Sequence, residues 1–210
     1  MKYPKIQTIY KRNMDKGPDK GKLLEGQWTL PEFEMLKGAA WHATEKVDGT
    51  NIRVCWDSNE KRVTVKGRTD NAQLAPGLVV RIQELFPAEK FVDMPDCILF
   101  GEGVGGKIQG NSKEYCIDTE YDFIGFDVRI ANWWLEQDAV DGIFNKFGAR
   151  VAPYFGTMSL HIAVLMVQSD PPSFLGDRQS EGLVLRAPCG LLRRNGERLI
   201  CKIKVRDFND

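Results

Sequence analysis

Seven charged side chains fall at strand ends or turns in the predicted sheets, where a single cleft could use them. They are Lys46, Arg68, Glu102, Asp127, Glu181, Lys202 and Lys204. An ionised group on an apolar strand is costly unless it is paired or binds a ligand. Each of these residues alone is more often half of a salt bridge than a catalyst. Seven of them in such positions favour one shared polar cleft.

Lys202 and Lys204 flank Ile203 on one predicted strand, so that both ammonium groups leave the same face. Like charges side by side repel each other, and a bound phosphate would relieve this repulsion. Two cations close to Lys46 would also favour its neutral, nucleophilic amine. Nearby glutamates suit a ribose hydroxyl or Mg²⁺, which is often held by one or two carboxylates and by phosphate oxygens. The set predicts attack of a lysine amine on a metal-bound nucleoside triphosphate, which gives a lysyl phosphoramidate and releases pyrophosphate.

The elements that would position these residues are mainly strands. Residues 39–45 are predicted as a strand that leads to Lys46, and Asp48-Gly49 as a hairpin-like turn behind the lysine. Alternating apolar residues predict an antiparallel hairpin with strands over residues 51–57 and 62–69. Short apolar runs predict four further strands, at residues 97–102, 123–130, 182–187 and 198–205.

Two helices are expected outside the sheets, over residues 76–86 and 134–147, where apolar residues recur at helical spacing. Four glycines after Glu102 predict a loop. Residues 3–10 are compatible with one strand, whereas residues 151–155 and 160–167 are apolar elements of undetermined type. The predicted fold class is α+β, an antiparallel-sheet-rich domain with flanking helices.

Composition limits the partners and the compartment. The chain has 210 residues, 42% of them hydrophobic, with 29 basic and 29 acidic residues and no net charge. A nucleic-acid partner would therefore have to bind a local basic groove. The five cysteines include no Cys-x-x-Cys pair, which argues against a zinc ribbon or a disulfide framework and favours reduced thiols in the cytoplasm. No signal peptide is visible, and the most apolar window, residues 160–167, is too short to span a bilayer, so no membrane partner is expected.

Five short motifs now give the set a family resemblance. Lys46-Val47-Asp48-Gly49 matches the Lys-x-Asp-Gly nucleophile motif of the covalent nucleotidyltransferases, which comprise ATP-dependent polynucleotide ligases and mRNA capping enzymes. Phe100-Gly101-Glu102 resembles their third motif, and Phe123-Ile124-Gly125-Phe126-Asp127 the aromatic motif that follows it. Glu181-Gly182-Leu183-Val184-Leu185-Arg186 resembles the fourth motif and Lys202-Ile203-Lys204 the fifth. The order and spacing match over about two thirds of the chain, which makes the combined signal strong.

Several residues narrow the resemblance to the RNA ligases that seal nicks in duplex RNA. Asn51 stands where DNA ligases and capping enzymes usually carry arginine. Lys66-Gly67-Arg68-Thr69 resembles the basic Arg-Thr segment of that group, and the glycine-rich residues 100–111 and the Arg194-Asn195-Gly196 turn are also similar. The resemblance implies an ATP-dependent RNA ligase of the double-strand-repair type and a nucleotidyltransferase (adenylation) fold.

Carried over residue by residue, the resemblance implies a catalytic set of Lys46, Glu181, Lys202 and Lys204. Lys46 would take AMP, and Glu181 would hold the metal or orient Lys46. Glu102 would bind a ribose hydroxyl of ATP. Phe126 would stack on adenine, with Phe123 as the competing candidate.

The remaining implied contacts concern phosphates and the adenine pocket. Lys202 and Lys204 would bind the α-phosphate, and Arg68 the outgoing pyrophosphate or an incoming 5′-phosphate. Asn51 would contact the water shell of the metal or the 5′-phosphate, and Arg186 would lie near the phosphates. The backbone and side chain of Glu45 would line the adenine site.

For three other polar residues the sequence predicts a structural role and no specific contact with a ligand. Asp127 could cap a neighbouring turn. His42 and His161 show no partner pattern that would make them ligands, so a structural role is expected for both.

The domain prediction is a single nucleotidyltransferase domain over residues 1–210 without a C-terminal oligonucleotide-binding or helical domain. The implied cofactors are ATP and Mg²⁺, with Mn²⁺ as an alternative metal. The implied substrates are nucleic-acid ends, preferably RNA in a nicked or gapped duplex, and a partner protein could replace the second domain. Two alternatives stay open: a minimal ATP-dependent DNA ligase, and a non-catalytic nucleotide- or RNA-binding module of the same fold.

Overall fold

The computed structural model describes residues 1–110 and 112–208, which form two compact units. Unit 1 comprises Met1–Tyr3 and Val47–Ala152, and unit 2 comprises Pro4–Lys46 and Pro153–Asp210. Asn111, the last residue of the glycine-rich stretch compared above, lies outside the described residues. The architecture is α+β, with antiparallel-rich sheets and helices packed on them, and this confirms the predicted fold class.

The secondary structure elements are as follows in chain order. The strands are β1 (Gln7–Thr8), β2 (Tyr10–Arg12), β3 (Leu23–Trp28), β4 (Trp41–Glu45), β5 (Thr50–Asp57), β6 (Arg62–Gly67), β7 (Cys97–Gly105), β8 (Tyr121–Ile130), β9 (Trp133–Trp134), β10 (Arg150–Val151), β11 (Tyr154–Met158), β12 (Gly182–Arg186) and β13 (Ile200–Lys204). The helices are α1 (Pro31–Met35), α2 (Pro76–Leu85), α3 (Gln137–Phe147) and α4 (Leu160–Gln168). Single turns of 3₁₀-helix occupy Ala88–Phe91, Ser112–Tyr115, Pro188–Gly190 and Val205–Asp207.

Unit 2 is built on a five-stranded sheet with the strand order β1-β13-β12-β4-β11. One face of this sheet, with Ala43, Leu183 and Ile203, packs on the buried side of α4. Ser159 caps α4 by accepting a hydrogen bond from the backbone N–H of Ile162, so the undetermined segment at residues 160–167 is a helix. Because side chains alternate along a strand, the residues between these apolar ones emerge on the opposite face.

Unit 1 contains a sheet with the strand order β10-β8-β7-β5-β6, and β9 pairs with β8. Its core face carries Ile52, Val54 and Leu99, which pack with the buried sides of α2 and α3. The predicted β5–β6 hairpin is confirmed, with Ile52 opposite Gly67 and Asp57 opposite Arg62. The register therefore fixes which residues of β5, β6, β7 and β8 share the other face.

Several boundary predictions were wrong, each because a longer-range contact decides the outcome. β4 and β5 belong to different sheets, so residues Lys46 to Gly49 form a connection between sheets and not a hairpin turn. Gly103 and Gly105 lie inside β7 and not in a loop. Gly103 has no room for a side chain there, because a Cβ would lie 2.5 Å from a methyl group of Leu78.

Two further segments also differ from the prediction. α3 starts at Gln137 because β9 pairs with β8 instead of extending the helix. Residues 3–10 are not one strand: β1 covers only Gln7–Thr8, and Tyr3 packs within unit 1. Among the described residues, no helix has both the length and the apolar character needed to cross a bilayer.

Candidate active site

The carboxylate of Glu181 joins two lysines in unit 2. Lys46 Nζ donates to Glu181 Oε2 at 2.5 Å, and Lys204 Nζ donates to Glu181 Oε1 at 2.6 Å. The Glu181 side chain is only 11% exposed, and the lysine side chains are 18% and 13% exposed. Residues that are 135 positions apart in sequence thus form one compact charged cluster.

Strand pairing explains why these three residues meet. Lys46 follows β4, and its backbone N–H donates to the carbonyl of Gly182 at 2.9 Å. Gly182 is the partner of Lys204 in the β12–β13 ladder, and the Glu181 carbonyl accepts from the Val205 N–H at 3.0 Å. Glycine is required at this position, because its φ is +142° and a Cβ would lie 2.8 Å from the Lys204 Cα.

The charges of the cluster shift the pKa values of two members. Burial alone would raise the pKa of Glu181, but the Lys46 and Lys204 ammonium groups outweigh it and lower that pKa below 4.5. The pKa of Lys202 is lowered from 10.5, first by burial and then by the positive charges of Lys46 and Lys204. Lys202 lies on the same strand face as Lys204, as the sequence predicted. The cluster therefore combines one carboxylate with three cations, which suits an anionic ligand.

Glu181 is also the residue of this cluster that could hold a divalent cation. The described residues contain no group of three or more His, Cys, Asp or Glu side chains arranged around a metal. Mg²⁺ is commonly bound by one or two carboxylates together with phosphate oxygens and water. A single carboxylate beside three lysines fits that donor set when a phosphate ligand supplies the remaining oxygens.

Glu45 and Arg186 occupy different positions on the unit 2 sheet. Glu45 is 1% exposed, and its carboxylate accepts from Ser173 Oγ at 2.5 Å and from the Phe174 N–H at 3.0 Å. Burial raises the pKa of Glu45, although these hydrogen bonds oppose the rise. Arg186 Nη1 donates to Thr44 Oγ1 at 3.1 Å. The sequence prediction missed Ser173 and Phe174, which lie in a segment without a recognised motif.

Asn51 and Glu102 are direct cross-strand partners in unit 1. They belong to the sheet face opposite the core residues Ile52 and Gly101. Asn51 Oδ1 is buried and has no hydrogen-bond partner among the described residues. A buried acceptor of this kind is costly unless a ligand or water satisfies it, so the position suits ligand binding. Arg68 is exposed just beyond the end of β6.

The two aromatic candidates of unit 1 separate clearly. Phe123 is fully buried and packs against Phe86 and Phe144, so it is a core residue. Phe126 is half-buried at a register shift between β7 and β8. Its ring packs edge-on against the ring of Tyr3, with 5.1 Å between the ring centroids. Of the two, Phe126 is the residue that is not fully buried.

Tyr3 is a residue near this position that the sequence prediction missed. Its hydroxyl donates to Asp127 Oδ2 at 2.5 Å, and its ring also packs against Phe100 and Trp134. Asp127 is thus a buried acceptor for a distant tyrosine. The only sequence signal for this contact was an aromatic residue in a polar terminal segment.

Comparisons with known proteins identify the family and the fold. The RNA ligase family model matches residues 39–204. The comparison with curated protein sequences gave no significant match. Among solved structures, a mutant Naegleria gruberi RNA ligase with AMP and Mn superposes with a TM-score of 0.64 and 19% identity, covering 83% of this chain and 52% of that one.

Two more structures of the same enzyme superpose over most of the present chain. A mutant with ATP and Mn gives a TM-score of 0.65 and 19% identity over 96% of this chain and 62% of that one. The enzyme with PPi gives a TM-score of 0.64 and 20% identity over 96% and 61%. At this identity the likeness shows the fold, and the chain spans between about half and 62% of the length of those proteins. Because the family model matches most of the sequence, from before the Lys46 motif to Lys204, the chain belongs to the RNA ligase family.

Proposed function

We propose that this protein is an ATP-dependent RNA ligase that joins 3′-OH and 5′-phosphate ends through a covalent Lys46–AMP intermediate and an adenylated 5′ end. The observation that carries the proposal is the contact of Lys46 and Lys204 with one buried carboxylate, Glu181, in a chain of the RNA ligase family. The enzyme would form phosphoric ester bonds. The two alternatives are a minimal DNA ligase and a non-catalytic nucleotide- or RNA-binding module.

In the first step, Lys46 Nζ attacks the α-phosphorus of ATP. A nitrogen–phosphorus bond forms, the bond from that phosphorus to the bridging oxygen breaks, and pyrophosphate leaves with the electron pair. The attacking nitrogen must first lose a proton, and Glu181 Oε2, which accepts a hydrogen bond from it at 2.5 Å, is placed to receive that proton. Glu181 therefore both orients the nucleophile and can receive its proton.

The other cations of the cluster bind the phosphates. Lys204 is held by Glu181, and Lys202 has a lowered pKa from burial and neighbouring cations, so an α-phosphate would relieve their repulsion. Arg186 would bind further phosphate oxygens. Mg²⁺, or Mn²⁺ as in the Naegleria ligase structures, would add charge neutralisation at the phosphates, with Glu181 as its protein ligand.

The residues of unit 1 have proposed roles in binding the nucleoside and the strand end. Glu102 would bind a ribose hydroxyl, and Phe126 would stack on adenine. Asn51, whose Oδ1 needs a partner, would contact the metal's water shell or the 5′-phosphate. Arg68 would bind pyrophosphate or the 5′-phosphate. Glu45 would contribute its backbone to the adenine site while its carboxylate holds Ser173 and Phe174.

The substrate and the setting complete the proposal. We propose that residues 1–210 act as one nucleotidyltransferase domain on RNA ends in a nicked or gapped duplex. A partner protein could take part in binding the RNA ends. A cytoplasmic location agrees with the five cysteines, all of which are free thiols.

The direct test uses ATP labelled at the α-phosphate. The protein is incubated with this ATP and Mg²⁺, denatured and examined for bound label. We expect label on the wild type and none on Lys46→Ala, and thermal unfolding of both proteins checks that the variant is folded. Label that survives Lys46→Ala would contradict the mechanism, and tight ATP binding without any label would favour the non-catalytic module.

A second experiment separates RNA ligase from DNA ligase. Nicked duplexes that differ only in the sugar at the 3′-OH side are compared for sealing. Asn51, which stands where DNA ligases usually carry arginine, leads us to expect faster sealing of the RNA-ended nick. Equal or faster sealing of the DNA-ended nick would favour the DNA ligase alternative.

A further inference from the structure

Tyr154 is the first residue of β11, one of the two edge strands of the unit 2 sheet. Its ring is stacked on the imidazole of His42. The ring centroids are 4.2 Å apart and the planes differ by 14°. The phenolic oxygen shares a hydrogen bond with Thr157 Oγ1 at 2.5 Å. Nevertheless, 49% of Tyr154 is exposed. The ring is thus fixed on one face and at its hydroxyl, while ring surface remains open to solvent.

The register places Tyr154 on the same sheet face as Lys46. Tyr154 is the cross-strand partner of Thr44, and Thr44 lies two residues before the lysine, about 6–7 Å along the strand. The contact of Thr44 with Arg186 confirms that both side chains share this face. The aromatic ring, the guanidinium and the nucleophile therefore lie on the same face of the unit 2 sheet.

A β-bulge gives the tyrosine this position. The pairing of β11 with β4 shifts between Tyr154 and Gly156, and Gly156 has a φ of +104°. Bulges commonly redirect a side chain next to a functional site. The extra residue, Phe155, packs towards the core, so that Tyr154 remains on the opposite face. The exposed ring is consequently a product of the local backbone and not of a frayed strand end.

We propose that Tyr154, seated on His42, is a stacking site for the base of the nucleotide that carries the 5′-phosphate of the RNA strand. This inference rests on the proposed function and names a part of its substrate site. An exposed aromatic ring beside cationic groups is the usual means of holding an unpaired base without reading its sequence. Lys202 and Lys204, the proposed α-phosphate ligands, are on β13, three strand spacings or about 14 Å from β11. Because β11 is at the edge of the sheet, an RNA strand bound there could continue beyond it.

The test uses a nicked RNA duplex in which the base next to the 5′-phosphate is a mismatched, and therefore unpaired, 2-aminopurine, because stacking on an aromatic ring quenches its fluorescence. We expect quenching by the wild type and by Tyr154→Phe, and its loss with Tyr154→Ala. The affinity of Tyr154→Ala for the duplex should fall about 10-fold or more. Trp133→Ala, which removes an exposed aromatic ring of unit 1, is the matched control and should quench like the wild type.

Two results would overturn the inference. One is undiminished quenching and affinity with Tyr154→Ala. The other is a rise in the KM for ATP during self-labelling of that variant that equals its loss of RNA affinity, because the ring would then serve the nucleotide cofactor. Absence of label on wild-type Lys46 would contradict the proposed function instead, and the fluorescence assay would still report on the stacking site.

Discussion

Lys202→Met should make the protein more stable while it weakens ATP binding. Methionine keeps an apolar stem of similar length but removes the charge. In the folded protein the pKa of Lys202 is lowered by burial and by the Lys46 and Lys204 charges, which means that the fold penalises its ammonium form. Glu181 offsets one of these two neighbouring charges, and the smaller contribution of Arg12 is offset by the Asp207 carboxylate, which lies 2.7 Å from the Arg12 guanidinium. One uncompensated positive charge therefore remains near Lys202.

The repulsion by this residual charge sets the minimum size of the gain, because burial of the ammonium, the larger cause, adds to it. Two unit charges about 7 Å apart, the spacing of alternate residues on a strand, repel by about 0.6 kcal/mol in a water-like dielectric. This dielectric is the appropriate one because Lys202 is partly exposed. For a chain of 210 residues the gain corresponds to a rise in Tm of about 1–3 °C. The gain should disappear as the pH rises past the ordinary lysine pKa of 10.5, where the ammonium is lost in both states.

Thermal unfolding with and without ATP measures both halves of the prediction. ATP at about 100 times its Kd should stabilise the wild type by about 2.7 kcal/mol, and this shift should shrink sharply in Lys202→Met. Lys202→Arg keeps the charge and should retain the ligand-induced shift without the gain in stability. A Lys202→Met protein that is less stable than the wild type, or that ATP still stabilises fully, would refute the electrostatic argument.

Three further predictions concern other parts of the molecule. Glu181→Gln should slow Lys46 labelling by about 100-fold or more, since the amide cannot take the proton, and a labelling rate within tenfold of the wild type would contradict this. Because the pKa of Glu181 lies below 4.5 in the fold, its stabilising effect is present above that pH and lost below it, so the Tm of Glu181→Gln should fall less than that of the wild type on acidification below pH 4.5. Ser173→Ala should destabilise unit 2 by about 1–3 kcal/mol in urea unfolding, because the buried Glu45 carboxylate loses a donor, whereas a change at the exposed Asp177 should have little effect.

The sequence predicted the meeting of Lys46, Glu181 and Lys204 better than the connections around them. Lys202 and Lys204 could be placed on one face because strand alternation is strictly local. The neighbourhood of Lys46 and Glu181 followed from the order of the motifs, and the structure brings both residues together. By contrast, β4 and β5 belong to different sheets because β4 pairs with strands that are distant in sequence. The turn signal at Asp48-Gly49 does not indicate these partners.

Contacts without a local pattern were not predictable. Glu45 accepts hydrogen bonds from Ser173 and Phe174, which lie more than a hundred residues later in the sequence. The same holds for Tyr3 and Asp127, which are 124 positions apart. In both cases the buried carboxylate is visible in the sequence only as an acid on an apolar strand. Its partner is decided by tertiary packing.

The central claim is that Lys46, and not another lysine of the cluster, becomes covalently bonded to AMP. Tandem mass spectrometry of peptides from protein that was incubated with ATP and Mg²⁺ tests it most directly, because it locates the modified residue. We predict AMP on the peptide that contains Lys46 and unmodified peptides for Lys202 and Lys204. AMP on either of those two lysines, or on no residue at all, would contradict the account.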